Sequence, residues 1–246
     1  MKAKNINKRA IFYVLIITLF FHGNLYAQSA ASEQKENFAD DWARLTKYQK
    51  ENDSIGQPKR GEKRIVFLGS SIFEFWKQKD PEYFEGKAYV DRGISGQISP
   101  QLLVRFRQDV IDLKPKVVII LAGSNDISGN TGHVTNEKIM KNIQSMAELA
   151  KLHHIKVILC KYLPINEYPW AKHIRPADQI IALNNMIEAY ARKKHHIVLD
   201  YWTPLVDDQK GQRKALTVDG VHPNLEGYKI MEQVTEKVLD KVLRRR

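Results

Sequence analysis

Arg64-Ile65-Val66-Phe67-Leu68-Gly69-Ser70-Ser71-Ile72 decides how the rest of the chain is read. A short apolar run rich in β-branched side chains, closed by a glycine and two serines, reads as a strand buried on both faces that stops at a turn. Four more runs of this kind follow, at 87–90, 116–121, 155–163 and 196–201. Between them lie helix-period segments at 98–113, 135–153 and 176–194, the last with Ile180, Leu183, Ile187 and Tyr190 as one stripe; a final helix at 224–243 follows the fifth strand. Strands that read as continuous apolar runs, separated by helices long enough for crossovers, imply an α/β fold with a five-stranded parallel sheet covered on both faces. Ligands in such sheets bind at the carboxyl ends of the strands.

Upstream of this region the pattern changes. Lys2, Lys4, Lys8 and Arg9 precede an uncharged apolar run at 10–21, and Gly23-Asn24-Leu25-Tyr26-Ala27 offers a small residue for cleavage. That is the plan of a secretory signal peptide over residues 1–27, too short in its apolar part to remain as a comfortable membrane span. The mature chain is expected to begin near Gln28, exported to the periplasm or secreted, with no stable membrane insertion. No cysteine follows the apolar run, which argues against a lipid anchor; the single cysteine, Cys160, sits in the fourth apolar run and reads as a buried thiol. Residues 28–63 read as an N-terminal helix and linker: a helix over 33–50 with Phe38, Trp42 and Leu45 on one face, then a polar stretch at 52–63 containing Gly56, Pro58 and Gly61.

The chain has 246 residues, 43% hydrophobic and 27% charged, enough for one good core and a single main domain over 64–246. Its formal charge of +11 includes the leader's four basic residues and a terminal Arg244-Arg245-Arg246. A solvated basic tail accounts for much of the surplus, and no nucleic-acid motif accompanies it.

Three motifs fall at strand ends: Gly69-Ser70-Ser71 after the first, Asp91-Arg92-Gly93-Ile94-Ser95-Gly96 after the second and Gly123-Ser124-Asn125-Asp126 after the third. Asp219-Gly220-Val221-His222-Pro223 precedes the last helix. A serine attacks a carbonyl carbon only if a base takes its proton, and an imidazole held by a carboxylate is the usual base. The charge that develops on the carbonyl oxygen must meet fixed N–H donors, which Ser71, Gly96 and Asn125 could supply. Each residue taken alone also has a structural reading. Ser71 with Glu74 has the spacing of a helix capping box, the glycines could be turn residues, and Asn125 could cap a loop. Their conjunction in order on one sheet rim favours chemistry.

These blocks, spread over residues 64–228, resemble the SGNH hydrolases, the GDSL-type esterases and lipases. The resemblance implies a flavodoxin-like three-layer α/β/α sandwich, Ser71 as nucleophile, His222 as base, Asp219 as its orienting partner, and Ser71, Gly96 and Asn125 as the oxyanion hole. Two positions depart from the family pattern: Ser70 stands where Asp usually precedes the nucleophile, and Asp91 where Asn is common. No cofactor and no metal is implied, since His153-His154 and His195-His196 have no third ligand at suitable spacing. Trp76, His133 and Trp170 are candidates to line the substrate pocket. Exported members resembling this chain are often acetylesterases acting on carbohydrates, so a small-molecule or glycan ester is expected. A lysophospholipase or thioesterase of the same fold, or a non-catalytic glycan-binding protein, are the alternatives.

Overall fold

The computed structural model describes residues 41–244, and all that follows concerns the unit that begins at Trp42. The signal peptide read over residues 1–27, and Phe38 of the expected N-terminal helix, lie outside the described residues.

Five strands, β1 (Ile65–Gly69), β2 (Tyr89–Gly93), β3 (Val117–Ile120), β4 (Lys156–Lys161) and β5 (Ile197–Asp200), form one sheet in the order β2-β1-β3-β4-β5. Every pairing is parallel, with Ile65 in register with Tyr89 on one side and Val117 on the other. All residues of β1 and β3 are buried, which is why they carry no polar alternation. The helices are α1 (Gln49–Ile55), α2 (Ser71–Lys79), α3 (Ser99–Val104), α4 (Ser124–Ile127), α5 (Asn136–Leu152), α6 (Ala177–Lys194) and α7 (Leu225–Arg244). α2 and α7 are joined where Tyr228 Oη donates to the Ile72 carbonyl at 2.9 Å, while α5 packs against α3 and α6.

Strand order reverses between β1 and β3, so the carboxyl ends of β1, β2 and β3 frame the crevice that such sheets use for ligands. Beneath it, Phe67 of β1 meets Phe73, Trp76, Tyr83 and Phe84 edge-on at 5.5–6.3 Å. This aromatic cluster anchors α2, whose first residue is Ser71, to the sheet.

Three elements differ from the sequence reading. The second strand runs on through Asp91, Arg92 and Gly93, so the glycine loop begins later than its polar residues indicate. Those polar groups are satisfied locally: Gly93 N donates to Asp91 Oδ1 at 2.8 Å and Arg92 Nε to Asn52 Oδ1 at 2.9 Å. The helix expected over 98–113 is broken into α3 and a wider turn at Arg107–Ile111. Arg105, wholly buried at the break, turns inward and donates to the carbonyls of Gly69 and Arg92, to Gln97 Oε1 and to Asp109.

The third difference is the helix expected up to residue 50. Within the described part of that stretch, residues 41–55, regular α-helix is confined to Gln49–Ile55, and Trp42 and Leu45 are exposed rather than packed. The intervening backbone is held by side chains instead. Gln101, Gln97 and Gln108 donate to the carbonyls of Trp42, Ala43 and Leu45 at 2.6–2.7 Å, and Arg44 takes a positive φ of 54°. Carbonyls captured from outside are lost to a helical ladder, so residues 42–48 turn rather than form a regular α-helix.

Candidate active site

Ser71 occupies the first position of α2, just past the end of β1, where a side chain projects from the sheet rim. Its Oγ lies 3.0 Å from His222 Nε2, although 151 residues separate the two in sequence. His222 Nδ1 lies 2.8 Å from Asp219 Oδ2. The other carboxylate oxygen accepts the backbone N–H of His222 at 2.8 Å and of Val221 at 2.9 Å. Burial pushes the Asp219 carboxyl upward, but these hydrogen bonds outweigh it and hold the group below the ordinary carboxylate range. Asp219 is therefore an anion at neutral pH, oriented so that Nδ1 carries the proton and Nε2 can accept one.

The loop bearing this pair is braced from several sides. Thr217 Oγ1 donates to the His222 carbonyl at 2.8 Å and accepts Gly220 N at 3.0 Å, while buried Gln212 donates to the Val221 carbonyl at 2.6 Å. Gly220 turns at φ 85°, a conformation that suits glycine. Neither Gln212 nor Thr217 stood out in the sequence, because a side chain that braces backbone carries no motif.

On the far side of Ser71, the loop after β2 and the start of α4 are tied together. Asn125 Nδ2 donates one hydrogen to the Gln97 carbonyl at 2.9 Å, which leaves the second available. Gly96 takes φ 78° and its carbonyl accepts Asn130 Nδ2 at 3.0 Å. Ile94 N donates to the Gly69 carbonyl at 3.2 Å, which fixes the loop beside the strand that leads into Ser71. The capping alternative for Ser71 does not describe this geometry. Ser70 is the N-cap and makes no side-chain cap bond, while Ser71 Oγ is directed at His222.

The family model for the GDSL-like lipase/acylhydrolase family matches residues 67–230, two thirds of the chain. The chain belongs to that family. Among solved structures, the GDSL-like lipase of Bacteroides thetaiotaomicron VPI-5482 is 45% identical with a TM-score of 0.79, covering 81% of this chain and 98% of that one. A protein of Bacteroides fragilis NCTC 9343 assigned as an acylhydrolase is 43% identical, with a TM-score of 0.82 over 83% of this chain and 100% of that one. The uncharacterized lipoprotein YqeF of Bacillus subtilis strain 168 is 30% identical over 132 residues, 49% of this chain; the chain spans about half of that relative, 54%.

In this GDSL-family chain the pocket residues read from sequence fare unequally. Trp76 is a correction. It is fully buried and stacks on Tyr83 at 4.7 Å and on Tyr228 at 5.6 Å, so it belongs to the core. Residues four apart share a helix face, and the residue that shares Ser71's face is Phe75, one position earlier. Phe75 is half-buried, and its ring centroid is 5.1 Å from that of His222. Trp170 is 51% exposed and its ring lies 6.1 Å from the imidazole. His133 is exposed between α4 and α5, and no contact ties it to the Ser71–His222 pair.

Asp91 carries a titration of its own. It is buried, and burial pushes its carboxyl up to about 7, with the charge of Glu74 acting in the same direction against the Gly93 N–H, Lys77 and Arg92. Below about pH 4 the group is protonated in both folded and unfolded chains and costs nothing. Between there and pH 7 only the unfolded chain has released the proton, so stability falls as pH rises, by up to about 1.4 kcal/mol per pH unit. Asp91→Asn keeps the acceptor for Gly93 N without the charge. Its Tm is expected to exceed the parent's at pH 8 and to match it at pH 4. The same Tm difference at both pH values would remove the buried carboxyl from the account.

Proposed function

We propose that this protein is an exported serine esterase that removes short acyl groups, acetyl foremost, from carbohydrate esters. The observation that carries the esterase reading is the hydrogen-bonded chain Ser71 Oγ, His222 Nε2, His222 Nδ1, Asp219 Oδ2, with spacings of 3.0 and 2.8 Å. In the mechanism this supports, neutral His222 takes the Ser71 proton as Oγ attacks the ester carbonyl, and Asp219 stabilises the imidazolium that forms. The backbone N–H groups of Ser71 and Gly96 and the free Nδ2 hydrogen of Asn125 meet the oxyanion. His222 then gives its proton to the departing alcohol. Water, activated by the same imidazole, hydrolyses the acyl-Ser71 ester.

The substrate reading rests on the surface beside the base. Trp170 and Phe75 flank the His222 ring, and an exposed indole face suits the apolar face of a sugar ring. The sequence holds no long apolar segment between its motifs that could serve as a lid for long acyl chains. Export rests on the basic and apolar leader at residues 1–27 and agrees with the lipoprotein designation of YqeF. Among the described residues, no helix is long and apolar enough to cross a membrane.

Chain-length profiling of residues 28–246 with p-nitrophenyl esters tests the proposal, alongside acetate release from acetylated saccharides. A pocket closed behind the acetyl methyl makes each added methylene displace packing, at about 10-fold or more in kcat/KM. A steep fall from acetate to hexanoate is therefore expected. Comparable kcat/KM on acetyl and octanoyl esters would overturn the acetylesterase reading and favour a lysophospholipase or thioesterase.

A further inference from the structure

Glu74 lies three residues after Ser71 on α2, and its side chain is nearly buried without contributing to the core. Its Oε2 accepts the backbone N–H of Ser95 at 2.7 Å, and its Oε1 accepts Lys47 Nζ at 3.1 Å. The next residue after Ser95 is Gly96. The Ser95–Gly96 peptide is exposed, and glycine at φ 78° leaves it free to rotate unless its neighbours are held. They are held on both sides, by Glu74 at Ser95 N and by Asn130 Nδ2 at the Gly96 carbonyl. The backbone itself is built for this approach: a Cβ at Gly93 would collide with the backbone N of Glu74, so the loop can dock on the first turn of α2 only with glycine there.

We infer that Glu74 is a positioning residue for the oxyanion hole: its carboxylate clamps Ser95 N and thereby aims the Gly96 N–H at the substrate carbonyl. This rests on the oxyanion role proposed above for Gly96. A charged acceptor makes a stronger bond to a backbone N–H than a neutral one, and the Lys47 ion pair keeps that charge compensated. The sequence spacing of Ser71 and Glu74 imitates a capping box, but the carboxylate is spent on the neighbouring loop.

The test compares p-nitrophenyl acetate with its thionoacetate, whose C=S accepts N–H bonds poorly, so an intact hole favours the oxygen ester. Glu74→Ala is expected to lower kcat on the oxygen ester about 10–100-fold, the scale of a small misplacement at a reacting centre. KM should stay within about 3-fold, and the ester-to-thionoester rate ratio should shrink. Glu74→Gln, which can still accept Ser95 N, should restore most of the rate and the ratio. Should Ala fail to fold, Glu74→Met keeps the volume without the acceptor and carries the same comparison. Equal losses on both substrates, or a Gln variant as poor as Ala, would overturn the inference. Asn125→Ala is the control: if it shrinks the ratio and Glu74→Ala does not, only the Glu74 inference falls. If it also leaves the ratio unchanged, the oxyanion reading falls with it.

Discussion

Ser71→Ala is expected to lower kcat for ester hydrolysis by about 10⁶, because removal of a serine nucleophile costs nearly as much as removal of the whole assembly. The Oγ is the atom 3.0 Å from His222 Nε2, and among the described residues no other hydroxyl bonds that nitrogen. Ser70 is the obvious rival, being adjacent and also buried. It stands at the N-cap of α2, and the imidazole is paired with Ser71 instead. A fluorophosphonate should therefore label Ser71 and spare Ser70, and Ser70→Ala should keep most activity. Asp219→Asn should cost about 10⁴ by leaving the imidazole in the wrong tautomer. The Ser71→Ala, His222→Ala double variant should be little worse than either single one, since the groups act as a unit. A labelled Ser70, or a Ser71→Ala enzyme within 100-fold of the parent, would dismantle the assignment.

The legible parts of this molecule were those in which one residue's environment is set by its own segment. β1 and β3 are buried on both faces, so their sequences are uninterrupted apolar runs and the parallel sheet follows. The site motifs were visible because short polar and glycine residues are unusual directly after such runs. What stayed hidden depends on partners distant in sequence. Arg105 reads as a surface cation of an amphipathic helix, yet it is wholly buried because four acceptors from β1, β2 and its own neighbourhood converge on it. Trp42 and Leu45 have helical spacing, but three glutamines from elsewhere claim the carbonyls a helix would need. Trp76 is a large aromatic close after Ser71 in the sequence. A shift of one residue on a helix turns a side chain by about 100°, enough to exchange the core-facing Trp76 for the site-facing Phe75.

Asn125→Ala is expected to reduce kcat by about 10²–10³, with KM within a few-fold and the fold intact. Asn125 is 8% exposed, and one Nδ2 hydrogen is already committed to the Gln97 carbonyl. That bond fixes the amide plane, so the second hydrogen is held in place before substrate arrives and needs no reorganisation as charge develops. A donor so fixed contributes little to the ground-state carbonyl and much to the oxyanion, which places the loss in kcat. The same substitution frees the Gln97 carbonyl and loosens the loop that carries Gly96, so part of the loss is positional. Separating the two parts calls for the Glu74→Ala, Asn125→Ala pair. If both act on one hole, the double variant should lose less than the product of the single losses, because a loop already released cannot be released again. A loss in KM alone would make Asn125 a binding residue and require another source for the third donor. Strictly multiplicative losses would separate Glu74 from the site that Asn125 serves.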